Sequence, residues 1–299
     1  MLVAGGRLWI LTEVNRWTTG PMYVPAARLL SVPLSGGELT KHLDLEGLAS
    51  MAADDAALYL AVSRDLSAMS TPRGKGPTGR LVRVPLAGGA PVDLATNIEP
   101  RVVAVDRERV WFDGSFVPKE GGKSPAPSGV KSPLAIAVDE DSVFYTAKGG
   151  RVLRLAKKGG ATTVLAEGLP DEPSAVALDA THVYVSAVTW KSEETQQHGV
   201  LARVPKAGGP LEVLAKDVPT ARGAWVSGDD AFVLTGRSGR PGALLRVPKA
   251  GGAQERVAED GTLAHAAIDP AALYVTSDGT FRKDPFERLT PPVVLRITR

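Results

Sequence analysis

A short phrase recurs along the whole chain and constrains its fold more than any other feature. An apolar run, usually with an arginine, leads into Val-Pro, a two-residue spacer and Gly-Gly. Self-similarity at a fixed period is typical of an array of equivalent structural units. We therefore expect one repeat domain over residues 1–299. The clear copies are LLSVPLSGG, LVRVPLAGG, LARVPKAGG and LLRVPKAGG, and the weaker ones are FVPKEGG and VLRLAKKGG.

A second phrase precedes each copy of the first. It is a short apolar strand, an aspartate, three turn residues, and then Val or Leu followed by an aromatic, as in AVALDATHVYV (Ala175–Val185). β-Branched and aromatic residues bounded by turn formers indicate a hairpin of two strands, a and b. The Val-Pro segment is then strand c, and Gly-Gly makes the c–d turn because glycine accepts positive φ. The helical period of 3.6 is absent, so we expect almost no helix.

Four-stranded units repeated at about 40–50 residues are typical of a β-propeller. Both phrases occur seven times. We therefore predict an all-β protein, a single β-propeller with seven blades of four antiparallel strands. Six blades is the alternative, because the third unit (Arg101–Gly129) has a clipped strand c and a Pro-rich KSPAPSG in place of strand d. The last strand c, VVLRITR, has no strand d after it, so we expect the last blade to lack its outer strand.

The segment Ile136–Asp179 resembles the YWTD-type repeat of low-density-lipoprotein-receptor propellers and of related uncharacterised bacterial propellers. It is also distantly similar to NHL and strictosidine-synthase-like propellers. The shared elements are the aspartate after strand a, the aromatic in strand b and the glycine at the c–d turn. The Trp-Asp end of the motif is missing, since this chain reads FYTA there. The resemblance implies the propeller fold and no particular activity.

Composition excludes several classes of function. Lys plus Arg (35) nearly balances Asp plus Glu (33), and the net charge of +2 argues against a nucleic-acid-binding protein. The chain has no cysteine, and therefore no disulfide, thiol nucleophile or Cys-based zinc site. No apolar run approaches the roughly 20 residues of a transmembrane helix. We expect a monomer that does not span a membrane.

The N-terminus, MLVAGGRLWILTEV, lacks the basic region, the long apolar core and the cleavage site of a signal peptide. It enters strand a at once, so it supplies no outer strand for the last blade. We therefore expect a natural protein that is longer at its N-terminus and exported or periplasmic, with that segment removed. A cytoplasmic protein is the alternative.

The recurring charged residues are predicted to be structural. Each of five aspartates closes an a–b turn, where its carboxylate bonds nearby backbone N–H groups, and successive copies lie too far apart to share an ion. The recurring strand c arginines are expected to pair with main chain or with these carboxylates between blades. The aspartates are Asp54, Asp106, Asp139, Asp179 and Asp269, and the arginines are Arg83, Arg154, Arg203, Arg246 and Arg296.

Long insertions between strands b and c mark one face of the predicted propeller, at residues 15–26, 64–79, 189–198 and 278–291. Insertions on one face of a repeat protein usually build its binding surface. Aromatic residues beside arginines are also the composition of interaction hot spots. We therefore predict a module that binds a protein, peptide or glycan through this face. Its candidate residues are Trp17, Tyr23, Trp190, Phe281 and Arg282, with Arg101 and Lys131 at the start of inner strands.

A propeller hydrolase or lyase is the alternative function. His265 interrupts the apolar run LAHAAID and is the least repeat-like residue of the chain. With Glu172, Glu99 and Arg222 it would line a central funnel, where it could perform acid–base chemistry or help to hold a divalent ion. The other interpretation is a polar channel rim satisfied by water. We expect no cofactor, apart from such an ion, because no catalytic or phosphate-binding motif is present.

Overall fold

A computed structural model describes residues 1–17, 23–63, 79–122, 125–189, 198–236, 242–260, 263–277, 281–283, 286–288 and 293–298. Every regular element in these ranges is a β-strand, and the strands form seven consecutive blade sheets and one small hairpin. The chain divides into two compact units, Met1–Ser132 and Pro133–Arg299.

The first unit contains blades 1 to 3, each of four antiparallel strands. Blade 1 is β1 (Leu2–Ala4), β2 (Arg7–Trp17), β3 (Tyr23–Pro33) and β4 (Thr40–Glu46). Blade 2 is β5 (Leu48–Ala53), β6 (Ala57–Ser63), β7 (Gly79–Pro85) and β8 (Val92–Ile98). Blade 3 is β9 (Val103–Val105), β10 (Arg109–Phe112), β11 (Ser115–Pro118) and β12 (Ala126–Pro127).

The second unit contains blades 4 to 7. Blade 4 is β13 (Ala135–Val138), β14 (Ser142–Ala147), β15 (Arg151–Ala156) and β16 (Thr163–Ala166), and blade 5 is β17 (Glu172–Leu178), β18 (His182–Val188), β19 (His198–Pro205) and β20 (Glu212–Pro219). Blade 6 is β21 (Arg222–Ser227), β22 (Asp230–Leu234), β23 (Gly242–Pro248) and β24 (Glu255–Asp260). Blade 7 is β25 (Leu263–Ile268), β26 (Ala272–Ser277) and β29 (Val293–Thr298), with a separate hairpin of β27 (Phe281–Lys283) and β28 (Phe286–Arg288).

These sheets confirm seven blades, and the six-blade alternative is wrong. The Pro-rich segment of the third unit was expected to replace strand d, but Ala126 and Pro127 pair with Phe116 and Ser115 as a short outer strand. A proline is tolerated there because the outer side of an edge strand needs no donor. Blade 7 has three strands among the described residues, as predicted.

The Gly-Gly turns have the conformation that the sequence predicts. In blade 5 the Gly208 N–H donates to the Pro205 carbonyl at 2.9 Å, and Gly208 and Gly209 have φ of 90° and 148°. Side chains disfavour such angles, so glycine is required at both positions. The same turn follows strand c in blades 1, 2, 4 and 6.

The recurring aspartate organises the a–b hairpin, as predicted. In blade 5 the Asp179 Oδ1 accepts the N–H groups of Thr181 and His182 at 2.9 and 2.8 Å, and its Oδ2 accepts the Tyr184 hydroxyl at 2.8 Å. These hydrogen bonds fix the turn and give the Tyr184 hydroxyl, the one polar atom of a fully buried side chain, a partner. The backbone bonds recur at all five aspartates, and the aromatic partner recurs as Tyr59, Trp111 and Tyr274.

A lysine from the next blade reaches the same carboxylate. Lys249, directly after the Val-Pro of blade 6, lies 2.9 Å from Asp179 Oδ2, and its ammonium lies 5.4 Å from the ring centroid of Tyr184. Lys206 pairs with Asp139 of blade 4 at 2.8 Å, and Lys119 pairs with Asp54 of blade 2. Each lysine therefore couples two neighbouring blades at the end of the sheets that carries the tight turns.

The first pair of blades uses an apolar contact at this position. Blade 1 has Gly5 in its a–b turn and blade 2 has Leu86 after its proline. A Cβ added to Gly5 would lie 3.3 Å from the Leu86 Cδ1 atom, so the two residues are in close packing. The aspartate and the lysine are therefore absent together, which avoids a partly buried charge without its partner.

The strand c arginines differ from the expectation. Arg203 and Arg246 pair with strand d glutamates of their own blades, Glu212 at 2.7 Å and Glu255 at 2.9 Å. Pairing with a–b carboxylates is therefore wrong for these two arginines. The expected main-chain contact between blades is present at Arg154, which donates to the Lys206 carbonyl.

The core lies between adjacent sheets. Strand b is the most buried element, and every residue of β6, β14 and β26 is buried. Separate apolar clusters join blades 1 and 2, 2 and 3, 4 and 5, 5 and 6, and 6 and 7. Burial between nearest neighbours is how repeat folds distribute their stability.

The substitution Lys249→Met tests the coupling between blades 5 and 6. Asp179 would keep its burial but lose the ammonium, so we expect destabilisation of about 1–3 kcal/mol. Lys216→Met is the control, because Lys216 is exposed on β20, and it should change stability by less than about 0.5 kcal/mol. The measurement is urea unfolding at pH 7. Equal effects of the two substitutions would contradict the coupling.

Candidate functional site

The b–c connections differ most among the blades, and that of blade 1 is an extended ribbon. Strands β2 and β3 pair continuously from Arg7↔Pro33 to Trp17↔Tyr23. Their neighbours stop earlier, since β1 pairs only as far as Trp9 and β4 only as far as Ala26. Among the described residues, the last three pairs of this ribbon (Asn15–Trp17 with Tyr23–Pro25) therefore have no third strand.

The blade 7 insertion also contains a hairpin. Strands β27 and β28 pair as Phe281↔Arg288, Arg282↔Glu287 and Lys283↔Phe286. Two of the four insertions that were predicted as loops thus contain paired strands. The sequence signal was present, because Trp17, Tyr23, Val24 and Phe281 favour strands, but glycine and proline between them favoured a loop interpretation.

The predicted binding residues fall into three groups. Trp17 and Tyr23 lie directly opposite each other at the tip of the blade 1 ribbon, and Phe281 and Arg282 lie in the blade 7 hairpin. Arg101 and Lys131 are exposed residues of the first unit that precede the inner strands of blades 3 and 4. Trp190 lies outside the described residues, as do most of the insertions at 64–79 and 189–198.

The candidate catalytic residues of the second unit lie at the start of inner strands. β17 begins at Glu172, β21 at Arg222, and His265 is the third residue of β25. A register shift interrupts β21 after Arg222 and β25 before His265. Such bulges redirect the flanking side chains. The Arg222 guanidinium donates to the Leu263 carbonyl, so it reaches across from blade 6 to the strand that carries His265.

His265 is uncharged at neutral pH. It is exposed, and its backbone N–H donates to the buried Thr276 hydroxyl at 3.2 Å. Partial desolvation by neighbouring protein atoms is the largest cause that lowers the pKa of His265 to about 4, and the positive charge of Arg222 contributes to it. A neutral imidazole beside a guanidinium can accept a proton or a hydrogen bond, while the arginine can hold an anionic oxygen.

The structure does not join His265 to a carboxylate. Glu172 is exposed, and no hydrogen bond or ion pair links it to His265 within the described part of the chain. Glu99 is exposed in the first unit. No group of three His, Asp or Glu side chains with metal-binding proximity occurs among the described residues. Of the four candidate catalytic residues, the structure therefore brings Arg222 and His265 together.

Comparison with known proteins supports the fold. No protein-family description and no curated protein sequence matches the chain. Among solved structures, the β-propeller domain of the Trilobed protease from Pyrococcus furiosus, described as having an open velcro topology, has a TM-score of 0.62 at 8% identity and covers 99% of this chain and 95% of that chain.

Two further structures are similar at 12% and 13% identity, each with a TM-score of 0.58. A candidate 6-phosphogluconolactonase from Bacteroides uniformis covers 98% of this chain and 100% of that chain. The acylaminoacyl peptidase of Pyrococcus horikoshii covers 96% of this chain and 49% of that one. At these identities the likeness shows a β-propeller fold and nothing of activity.

Among the described residues, no helix has the length and apolar character that crossing a membrane requires.

The proximity of Arg222 and His265 is tested by Arg222→Met. Removing the guanidinium should raise the pKa of His265, because one of its causes of depression disappears. The pKa of His265 in the folded protein lies below the unfolded value of about 6.5. The free energy of unfolding therefore falls as the pH drops from about 6.5 to about 4. Because its folded pKa is higher, the Arg222→Met variant should lose less of this free energy over the same pH range. NMR titration of the imidazole protons gives the pKa. An unchanged pKa, equal to that in an Arg151→Met control, would contradict the proximity.

Proposed function

We propose that the protein is a binding module that engages a protein or peptide through the ends of its blades that carry the b–c connections. The blade 1 ribbon is the observation that carries this proposal. It extends three residue pairs beyond both neighbouring strands of its sheet, as far as these are described. A two-stranded ribbon without a third strand offers backbone donors and acceptors on its edges, and extended peptides recognise such edges.

The composition of the two hairpins supports the same proposal. Trp17 is paired with Tyr23 in the backbone register of blade 1, and Arg16 precedes Trp17 in the sequence. The blade 7 hairpin contains two phenylalanines and three cationic residues. Tryptophan, tyrosine and arginine are the residues most enriched in binding hot spots. These residues also lie in insertions that do not belong to the repeated phrases of the blades.

The structural neighbours favour a peptide over a glycan as the partner. Two of them are named as a protease and a peptidase, and the match covers 49% of the latter chain. Assignment to the YWTD-like propellers is a narrower proposal that rests on the repeat phrase of Ile136–Asp179 alone.

A double substitution at the ribbon tip, Trp17→Ala with Tyr23→Ala, tests the binding face. The probe is an immobilised array of random 15-residue peptides, with a glycan array in parallel. We expect the wild-type protein to bind a subset of peptides, and the variant to lose about tenfold or more in affinity for them, as hot-spot residues do.

The control is Leu39→Ala, which removes an exposed apolar side chain (54% accessible) after the c–d turn of the same blade. It should leave peptide binding unchanged. Binding to the glycan array alone, or equal losses in both variants, would contradict a peptide-binding face at the ribbon.

A hydrolase centred on His265 is the second candidate, favoured by the neutral imidazole beside Arg222. One neighbour is named as a candidate 6-phosphogluconolactonase, so 6-phosphogluconolactone is the probe. We expect His265→Gln to lower any hydrolysis by about 100-fold, the smaller end of general-base contributions. His182→Gln, a histidine in an a–b turn that hydrogen-bonds Thr181, is the control. Hydrolysis that is equal in both variants would contradict a role for His265.

A further inference from the structure

The outermost described strand of blade 7 exposes two apolar side chains whose counterparts are buried in blades 2, 4, 5 and 6. Val294 and Leu295 of β29 are 40% and 43% accessible. Aligned on the strand c arginine, their counterparts in blade 6 are Leu244 and Leu245, which are 0% and 5% accessible. β29 pairs along its whole length with β26, and among the described residues no strand pairs with its other edge. The difference in exposure therefore follows from the lack of a fourth strand in the described part of blade 7.

The fourth strands of the complete blades share a four-residue pattern. In blade 6 the residue opposite Arg246 is Glu255 and the residue opposite Leu244 is Ala258, with a register shift between them. The shift leaves Val257 as an extra residue that packs against the core between blades. The pattern is thus a first residue opposite the arginine, an outward residue, a bulged apolar residue and an alanine.

The same four positions are filled alike in neighbouring sheets. They read Glu-Val-Leu-Ala in blade 5, Glu-Arg-Val-Ala in blade 6, Thr-Val-Leu-Ala in blade 4 and Val-Asp-Leu-Ala in blade 2. Where the first residue is glutamate, its carboxylate pairs with the strand c arginine across the strands, at 2.7 Å in blade 5 and 2.9 Å in blade 6.

Arg296 has half of this arrangement. It lies opposite Tyr274 in the register of β26 and β29, as Arg203 lies opposite Tyr184 in blade 5. It is exposed, and in the described part of the chain no carboxylate forms an ion pair with it. Among the described residues, blade 7 therefore presents an unpaired strand edge, two apolar side chains and a cation in the register that strand d of blades 5 and 6 recognises.

We propose that β29 accepts a β-strand from another protein, and that this strand carries the sequence acid-x-Leu/Val-Ala. The strand runs antiparallel to β29, its acid pairs with Arg296, and its alanine lies opposite Val294. Main-chain hydrogen bonds supply affinity in such strand addition, while side-chain positions supply specificity. This surface lies on the outer edge of blade 7, so the inference is independent of the proposed peptide-binding face.

Charge complementarity favours a partner protein over a second copy of this chain. β29 reads Val-Val-Leu-Arg-Ile-Thr and contains no acidic residue. Two copies joined edge to edge through β29 would bring two arginines together with no carboxylate between them, and like charges across strands are destabilising. The outer strands β20 and β24 do contain the acidic pattern, but their glutamates already pair with Arg203 and Arg246.

The test uses fluorescence anisotropy with a labelled peptide of the chain's own blade 6 sequence, GAQERVAED (Gly252–Asp260). We expect saturable binding to the wild-type protein. The E255K peptide should bind about tenfold more weakly or worse, since a charge pair becomes a repulsion. The protein variant Arg296→Glu should reverse this preference. Arg256→Glu, an exposed arginine of the outer strand of blade 6, is the matched control and should leave it unchanged.

A second peptide variant keeps the test independent of the folding of Arg296→Glu. V257D in the peptide replaces the bulged apolar residue and should abolish binding to the wild-type protein. Hydrogen exchange should show slower exchange of the Val294–Ile297 amides when the GAQERVAED peptide is bound, because those that face the free edge gain acceptors.

Four outcomes would overturn the proposal. They are absence of saturable binding up to about 1 mM peptide, a charge preference that Arg296→Glu does not reverse, a concentration-dependent dimer that protects β29 by a second copy, and protection of β29 in the natural protein by a segment of the same chain. The millimolar limit corresponds to roughly 4 kcal/mol of binding free energy.

Discussion

The aspartate of the a–b turn is the interaction on which the rest of the structure depends. One carboxylate closes the hairpin through two backbone bonds, satisfies the buried aromatic of strand b, and meets a lysine of the next blade. Burial alone would raise the pKa of Asp179, but the hydrogen bonds from Lys249, Thr181, Tyr184 and His182 hold it well below its usual value. The group therefore stays ionised, and local turn formation and coupling between blades become one event.

This arrangement confines regularity to one end of the sheets and leaves the other end free to vary. The aspartate, the lysine and the Gly-Gly turn all lie at the a–b and c–d ends of the strands. The b–c ends range from the two-residue connection Asp113–Gly114 in blade 3 to the long ribbon of blade 1. Because stability in repeat folds is carried between neighbouring units, such variation costs the core little.

The repeat predicts the blades well because each strand is determined by local chemistry: the turn aspartate, the strand b aromatic and the paired glycines. It fails where pairing depends on distant residues. The ribbon of blade 1 forms because Asn15–Trp17 meets Tyr23–Pro25, and the outer strand of blade 3 needs only two paired residues despite its prolines. The Arg222–His265 pair was predicted as part of a larger set, but its proximity follows from two bulges that no local pattern specifies.

The regular pattern of strand d also indicates what blade 7, in which the structure describes no strand d, could bind. In blades 5 and 6 an arginine of strand c takes a glutamate of strand d, and a bulged Leu or Val reaches the core between blades. Blade 7 keeps the arginine and the apolar pair without these partners among the described residues. An edge strand with two exposed apolar side chains and a single charge carries little of the protection that natural edges use against pairing. Its sequence is therefore that of an inner strand, and its chemistry is complete only when a fourth strand lies beside it.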